Sequence, residues 1–249
     1  MKLSVNLNKV ALLRNSRGGG VPDINYFANY VLDQACIGIT VHPRPDARHI
    51  DYDDIALLNE LCIKAKKFLN IEGNPKEQKN SNYKGFNEII RDINPHQITL
   101  VPDESNQITS DHGWSIEDKE YLDSCTKLLS PHNQVCSIFV NSDELYLKEL
   151  ISENINAIEI YTGPYANAFS TGNKMLIDKE IKNIQMISEE AKSLGLRVHA
   201  GHDLNTKNLL NLVELDIIDE VSIGHAIISE SLLKGFKQTI DDYIKLING

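Results

Sequence analysis

Short apolar runs rich in β-branched residues alternate along the chain with longer segments in which apolar positions recur at helical spacing. "KLSVNL" predicts strand one, and after the loop "RNSRGGGVPD" the segment "INYFANYVLDQAC" predicts a helix. "IGITV" is strand two, followed by "DYDDIALLNELCIKAKK", whose acidic first turn suits a helix N-terminus. "FLNIE" is strand three, with the polar segment "GNPKEQKNSNYKG" ahead of the short helix "FNEIIRDI". "HQITLVP" and "SIEDKEYLDSCTKLLS" make the fourth pair; "QVCSIFV" and a well-capped helix over "SDELYLKELISEN" make the fifth. "NAIEIYTG" leads through the loop "PYANAFSTGNKM" into a helix ending "IQMISEEAKSLG". "LRVHAGH" with "TKNLLNLVEL", then "DEVSIGHAII" with "ESLLKGFKQTIDDYIKLI", complete the alternation.

Eight strand–helix units without a linker imply parallel strands joined by crossover helices. In 249 residues they predict one α/β domain spanning 1–249, a closed (β/α)8 barrel. The rival arrangement is an open doubly wound sheet; no GxGxxG follows strand one, which counts against a dinucleotide-binding sheet. The formal net charge of −10 argues against a general nucleic-acid binder but leaves room for a locally basic pocket. Cys36, Cys62, Cys125 and Cys136 form no CxxC pair and read as reduced thiols. The first residues lack the apolar core of a signal peptide, and no run approaches the roughly 18 apolar residues of a membrane span. A cytoplasmic protein is expected.

A barrel places its chemistry at the carboxyl ends of the strands. Strand one is followed by Asn6, Asn8 and Lys9, then Arg14 and Arg17, and strand two by His42, Arg44 and His49. Strand three ends in Glu72, and strand four leads to Asp103, Glu104 and Thr109. Strand six carries Glu159, Tyr161 and Thr162, strand seven His199 and His202, and strand eight Gly224 and His225. Each has an ordinary structural explanation; a histidine is often only hydrogen-bonded, and Glu72 could be the partner of Arg44. Convergence of titratable groups from four strands is what argues for a site. His96 and His132, at strand starts, are assigned structural roles. The Gly224–His225 turn into a helix offers free N–H groups to a phosphate, and "RNSRGGG" with Arg44 suggests a second anion site. No metal is expected: there is no HxH at a strand end, no HExxH, and cations outnumber carboxylates at the rim. In "HAGH", strand alternation sends His199 and His202 in different directions.

The segments "VNLNKVALLRNSRG", "GITVHPRPDARHI", "NIE", "LVPD", "QITSDHG", "IEIYTGPYA", "GLRVHAGHDL" and "SIGHAII" resemble, in order and spacing, the pyridoxine 5'-phosphate synthase family. The resemblance runs from residue 3 to about residue 245. It implies a TIM barrel with additional short helices that assembles as an octamer, a tetramer of dimers. It also implies condensation of 1-deoxy-D-xylulose 5-phosphate with 3-amino-2-oxopropyl phosphate to pyridoxine 5'-phosphate, phosphate and water, without redox cofactor or metal. By motif, His42 and Glu72 resemble proton acceptors and His202 a proton donor. Asn6 and Arg17 resemble contacts to the aminoketone phosphate. Arg44, His49 and Thr109 resemble contacts to the deoxyxylulose phosphate, and Gly224 and His225 a phosphate cradle.

The chain departs from the family pattern at Asn8 and Lys9, where Asp-His is usual, at Asp203, where Gly is usual, and in a longer segment after Glu72. Asn8, Lys9 and Asp203 fall on substrate-binding positions. Two readings of the pair are open: Lys9 and Asp203 meet across the mouth, or they drifted separately as exposed residues. Outside this class stand a sugar-phosphate isomerase or aldolase, for which no mid-strand lysine is present, and a catalytically dead binding barrel, against which His42, Glu72 and His202 argue.

Overall fold

A computed structural model describes residues 1–104, 107–129 and 135–249. Its strands are β1 (Lys2–Asn6), β2 (Gly38–Val41), β3 (Phe68–Gly73), β4 (Gln97–Leu100), β5 (Val135–Asn141), β6 (Ala157–Tyr161), β7 (Arg197–Gly201) and β8 (Glu220–Ile223). They pair in chain order, all parallel, and β8 closes on β1. The helices are α1 (Asn8–Asn15), α2 (Ile24–Leu32), α3 (Tyr52–Ala65), α4 (Phe86–Ile93), α5 (Lys119–Leu129) and α6 (Leu147–Leu150). After these come α7 (Gly163–Thr171), α8 (Lys174–Ser193), α9 (Leu209–Glu214), α10 (His225–Lys234) and α11 (Phe236–Asn248). The closed barrel is the architecture expected from the alternation, and the open sheet is excluded. His132 lies outside the described residues.

Two layers of opposite character make the barrel. One set of alternate strand residues, among them Ile39, Val41, Ile71, Ile98, Ile138, Ile158, Val198 and Val221, is buried in the hydrophobic shell with the helices. The intervening residues carry the hydrogen bonds of the barrel interior, which is polar: Ser4 Oγ lies 2.7 Å from Thr40 Oγ1, and Thr99 Oγ1 donates to Asn70 Oδ1 at 3.1 Å. Barrel interiors are usually filled by branched apolar side chains. Here much of that space is taken by buried polar and ionisable side chains instead.

Four local expectations are corrected. A helix over Asn8–Asn15, not expected between strand one and the loop at Arg14, forms because Leu7, Val10 and Ala11 bury one face at helical spacing. The segment expected as a loop after strand six contains α7, started by Pro164 in its first turn and ended at Gly172 with φ +67°. The helix expected over "SDELYLKELISEN" is the single turn α6 with no side-chain cap; Glu144 instead accepts from the Tyr146 N–H at 2.9 Å. Gly235, at φ +84°, divides the last expected helix into α10 and α11.

Gly38 shows how tightly the strands are joined. A Cβ there would overlap the Phe68 carbonyl oxygen on β3, a backbone atom that cannot swing away. Gly38→Ala should therefore cost about 1–3 kcal/mol. Thermal unfolding should show a Tm reduced by roughly 2–4 °C for each kcal/mol, and an unchanged Tm would refute this packing.

Candidate active site

At the carboxyl ends of the strands a cavity of 380 Å³ is lined by every expected site residue except Arg17: Asn6, Asn8, Lys9, His42, Arg44, His49, Glu72, Thr109, His202, Asp203, Gly224 and His225. Glu159 lines it as well. Residues more than 200 positions apart meet because the barrel brings eight strand ends to one rim.

The first strand contributes by hydrogen bonding as much as by contact. Asn6 Oδ1 accepts from the Asn8 N–H at 2.9 Å, starting α1, and Asn8 Oδ1 accepts from the His42 N–H at 2.9 Å. Asn8 thus ties α1 to the end of β2 and fixes where His42 begins. Gly224 packs so closely on Asn6 that a Cβ would stand 2.8 Å from Asn6 Cβ and 2.9 Å from its carbonyl oxygen. That approach brings the start of α10 into the cavity, where the N–H groups of its first turn have no carbonyl one turn earlier to bond.

Arg44 is not the partner of Glu72. Its guanidinium bonds Asp103, which also accepts from Ser110 Oγ at 2.6 Å. Arg48 donates to the carbonyls of Gln107 and Ile108 at 2.9 and 3.1 Å. The loop after β2 therefore grips the loop after β4, which holds exposed Thr109 at the cavity edge. Buried Trp114 anchors the other end of that loop, donating its indole N–H to the Leu100 carbonyl at 2.8 Å.

The loop "RNSRGGG", expected as an anion site, lies outside the cavity lining in this structure. Arg14 is held by both oxygens of Asp54, at 2.5 and 2.7 Å, a partner 40 residues away. Arg17 is exposed and does not line the cavity; the flanking turn reaches φ +70° at Gly18, and nothing packs against the glycines there. The cationic end of the cavity is built from Lys9 beside Arg44, with His49 next to them as an uncharged imidazole. Among the described residues Lys9 forms no ion pair; burial, Arg48 and then Arg44 hold its pKa below the usual lysine value. Lys9 and Asp203 both line the cavity but do not pair, and Asp203 is exposed, which favours the reading that they changed separately. The cavity thus has two electropositive ends: this cluster and the α10 N-terminus.

Between those ends stand the titratable groups. His42 Nδ1 lies 3.7 Å from Glu72 Oε2, both side chains being buried. Burial drives the Glu72 pKa well above the carboxylate range, assisted by Glu159 and Asp103 and opposed by Arg44. Burial, Arg44 and His49 drive His42 well below the usual imidazole value. Glu159 is raised to about 8 by burial and by Glu220, against a hydrogen bond from Thr99. His49 falls to about 3 through burial and the neighbouring arginines, and its Nδ1 accepts from the Ile50 N–H at 3.0 Å. Burial thus favours the neutral form of both partners, the carboxyl and the imidazole.

His202 faces this pair from β7. Its ring packs against Phe139 (centroids 4.8 Å apart) and Tyr161 (5.7 Å), and its Nδ1 is buried without a partner. Burial lowers its pKa, while Asp103 and Asp203 pull the other way. The backbone is left-handed at both His202 (φ +81°) and Asp203 (φ +57°), a conformation uncommon outside glycine. Thr162 Oγ1 lies 2.6 Å from the carbonyl oxygens of both Gly201 and His202, and Asn208 Nδ2 donates to the Asp203 carbonyl at 3.1 Å. Those bonds secure the turn that aims the imidazole. His199, by contrast, lies deeper in the barrel, so the expected divergence within "HAGH" is present.

Among the described residues no group of three His, Cys, Asp or Glu side chains is placed to hold a metal ion, and the four cysteines are buried free thiols. Turnover should survive exhaustive dialysis against EDTA; loss of activity restored by a divalent ion would contradict an acid–base mechanism carried by side chains alone. No helix among the described residues is long and apolar enough to cross a membrane.

Known proteins resemble the chain along nearly its whole length. The family described as "Pyridoxal phosphate biosynthesis protein PdxJ" matches residues 3–249. The pyridoxine 5'-phosphate synthase of Xylella fastidiosa (strain M23) is 40% identical over 249 residues, 99% of this chain and 95% of that one. Its namesake from Christiangramia forsetii is 40% identical over 248 residues, covering 99% of each chain. Among solved structures, thiamine phosphate pyrophosphorylase from Pyrococcus furiosus superposes with a TM-score of 0.60 over 99% of this chain and 95% of that one. At 11% identity that likeness concerns the fold alone.

Proposed function

The chain belongs to the PdxJ family of pyridoxal phosphate biosynthesis proteins, and from that premise we infer that it is a pyridoxine 5'-phosphate synthase. It joins 1-deoxy-D-xylulose 5-phosphate to 3-amino-2-oxopropyl phosphate, releasing phosphate and water. The observation that carries the residue assignment is the meeting of the His42–Glu72 pair and His202 in one cavity with two electropositive ends.

Each substrate brings one phosphate, and the cavity has a place for each. Lys9, Arg44 and His49 hold the ketose phosphate, with Thr109 closing that side. The N–H groups at Gly224 and His225 hold the aminoketone phosphate, with Asn6 alongside. Arg17 reaches this group only by a movement of the loop that follows α1. Phosphate dianions entering the cavity favour protonated imidazole, opposing the burial that lowers His42 and His202.

Amine attack on the ketone gives a carbinolamine, whose loss of water needs an acid. His202, protonated beside bound phosphate, supplies that proton. The later steps remove protons from carbon, and Glu72, once ionised, is a stronger base than an exposed carboxylate because its pKa is raised. His42 exchanges protons with it. Loss of phosphate and formation of the aromatic ring drive the sequence forward. A cytoplasmic location and assembly into an octamer, as a tetramer of dimers, belong to the same reading. Supplying purified protein with either substrate alone should yield no pyridoxine 5'-phosphate, and supplying both should yield it; product from one substrate alone would refute the condensation.

A further inference from the structure

The long segment between Glu72 and α4 is tied to the loops on both sides of it. Asn74 Nδ2 donates to the Asp103 carbonyl at 2.7 Å, and Asn74 Oδ1 accepts from the Lys76 N–H at 2.8 Å. Lys76 Nζ lies 3.0 Å from Asp118 Oδ1 and 5.2 Å from the Trp114 ring centroid, both beyond β4. On the other side, Asn80 Nδ2 donates to the Pro45 carbonyl at 2.9 Å, in the loop after β2. The Asn80 N–H donates to the Tyr83 carbonyl at 2.9 Å. These bonds hold the segment, and Tyr83 with it, against the loops that carry Arg44 and Asp103.

The three loops meet around a cavity of 10 Å³ lined by Arg44, Asn74, Glu77, Tyr83 and Asp103, among others. His42 and Arg44 line the substrate cavity as well, so the two adjoin, whereas Tyr83 and Asp103 line only the small one. Asp103 Oδ2 holds Arg44 and accepts from Ser110 Oγ, but Asp103 Oδ1 is buried with no partner among the described residues. The Tyr83 hydroxyl is buried and unpartnered in the same way. Buried polar atoms left unpaired are costly, and a volume of about 10 Å³ is what a single water molecule needs.

We propose that one water molecule sits in this cavity, accepts from the Tyr83 hydroxyl and donates to Asp103 Oδ1 and Glu77, so that Tyr83 positions Arg44 for the substrate phosphate. The hydrogens match. Burial raises the Tyr83 pKa, so its hydroxyl keeps a hydrogen to donate, and the two hydrogens of the water meet two carboxylates. Asp103 is then fixed at both oxygens, and the guanidinium bonded to it is fixed in turn. The consequence for substrate rests on the synthase reading, in which Arg44 holds the ketose phosphate; the bridging water does not.

A high-resolution crystal structure of the natural protein should show an ordered water within about 3.2 Å of both Tyr83 Oη and Asp103 Oδ1. A cavity without one, or a Tyr83 hydroxyl bonded elsewhere, would overturn the proposal. Calorimetric titration reads the consequence. Tyr83→Phe keeps the ring, removes the donor and should weaken binding of 1-deoxy-D-xylulose 5-phosphate by about three- to tenfold. Binding of 3-amino-2-oxopropyl phosphate should stay nearly unchanged, as should kcat with both substrates saturating. Unchanged binding of the ketose phosphate, or equal losses for both substrates, would overturn the positioning role. In an Asp103→Ala background Tyr83→Phe should have no further effect on that affinity; additive losses would overturn the route through Asp103. Should Tyr83→Phe fail to fold, Asn80→Ala at an exposed position frees the segment from Pro45 and should split the two affinities in the same sense, equal losses again overturning it. Natural protein that gives no product from the two substrates would refute the synthase reading, while the ordered water would still decide the bridge.

Discussion

Glu72→Gln should lower turnover by about two to four orders of magnitude while the protein stays folded, because the amide cannot accept a proton. The change is nearly isosteric, and burial with the neighbouring Glu159 already disfavours the Glu72 anion. The amide thus resembles the neutral acid, and stability should change little. The pH profile carries the same information. In the natural protein kcat/KM should rise as pH rises through the elevated Glu72 pKa, because only the ionised form is a base. In Glu72→Gln that rise should vanish from whatever activity remains. A variant with near-normal rate and an intact acid limb would remove Glu72 from the mechanism and shift the role of base to Glu159, the other raised carboxyl in the cavity.

His202→Asn should cost a comparable factor, on the order of 10² or more in kcat, through loss of the acid that expels water from the carbinolamine. Its ring is held by Phe139 and Tyr161, and its backbone by Thr162. Asparagine also tolerates the left-handed backbone at this position, so it removes the acid without adding strain there. Burial lowers the His202 pKa, so the natural activity should decline as pH rises, once substrate-bound imidazolium loses its proton. KM for either phosphate should change far less than kcat, since the phosphates are held elsewhere in the cavity. A large rise in KM at constant kcat would make His202 a binding residue instead.

The barrel itself was legible in the alternation of apolar runs with helical segments, and the candidate site in the residues closing each run. His42, Glu72, His202 and the Gly224–His225 turn all follow from where strands stop. Arg14 and Arg17 did not, because a loop sequence shows cationic residues without showing that Asp54 holds one of them and solvent the other. α7 was hidden by the polar and small residues of "PYANAFST", which helix formation tolerates once Pro164 and Gly172 delimit it. The polar barrel interior was written at alternate positions: Ser4, Thr40 and His42, Asn70 and Glu72, Gln97 and Thr99, Glu159, His199, Glu220 and Ser222. Reading the strands as apolar runs passed over that period of two. Glu159 was seen at the rim, but its link to Glu72 needed the closed barrel to bring β3 and β6 together.

The most direct measurement is the stoichiometry of a single reaction containing purified protein and both substrates, with Glu72→Gln and His202→Asn run in parallel. Absorbance of pyridoxine 5'-phosphate and release of inorganic phosphate should rise together, one for one, in the natural protein, and both should fall by about a hundredfold or more in each variant. Phosphate released without pyridoxine 5'-phosphate, or product formed at undiminished rate by both variants, would contradict the account.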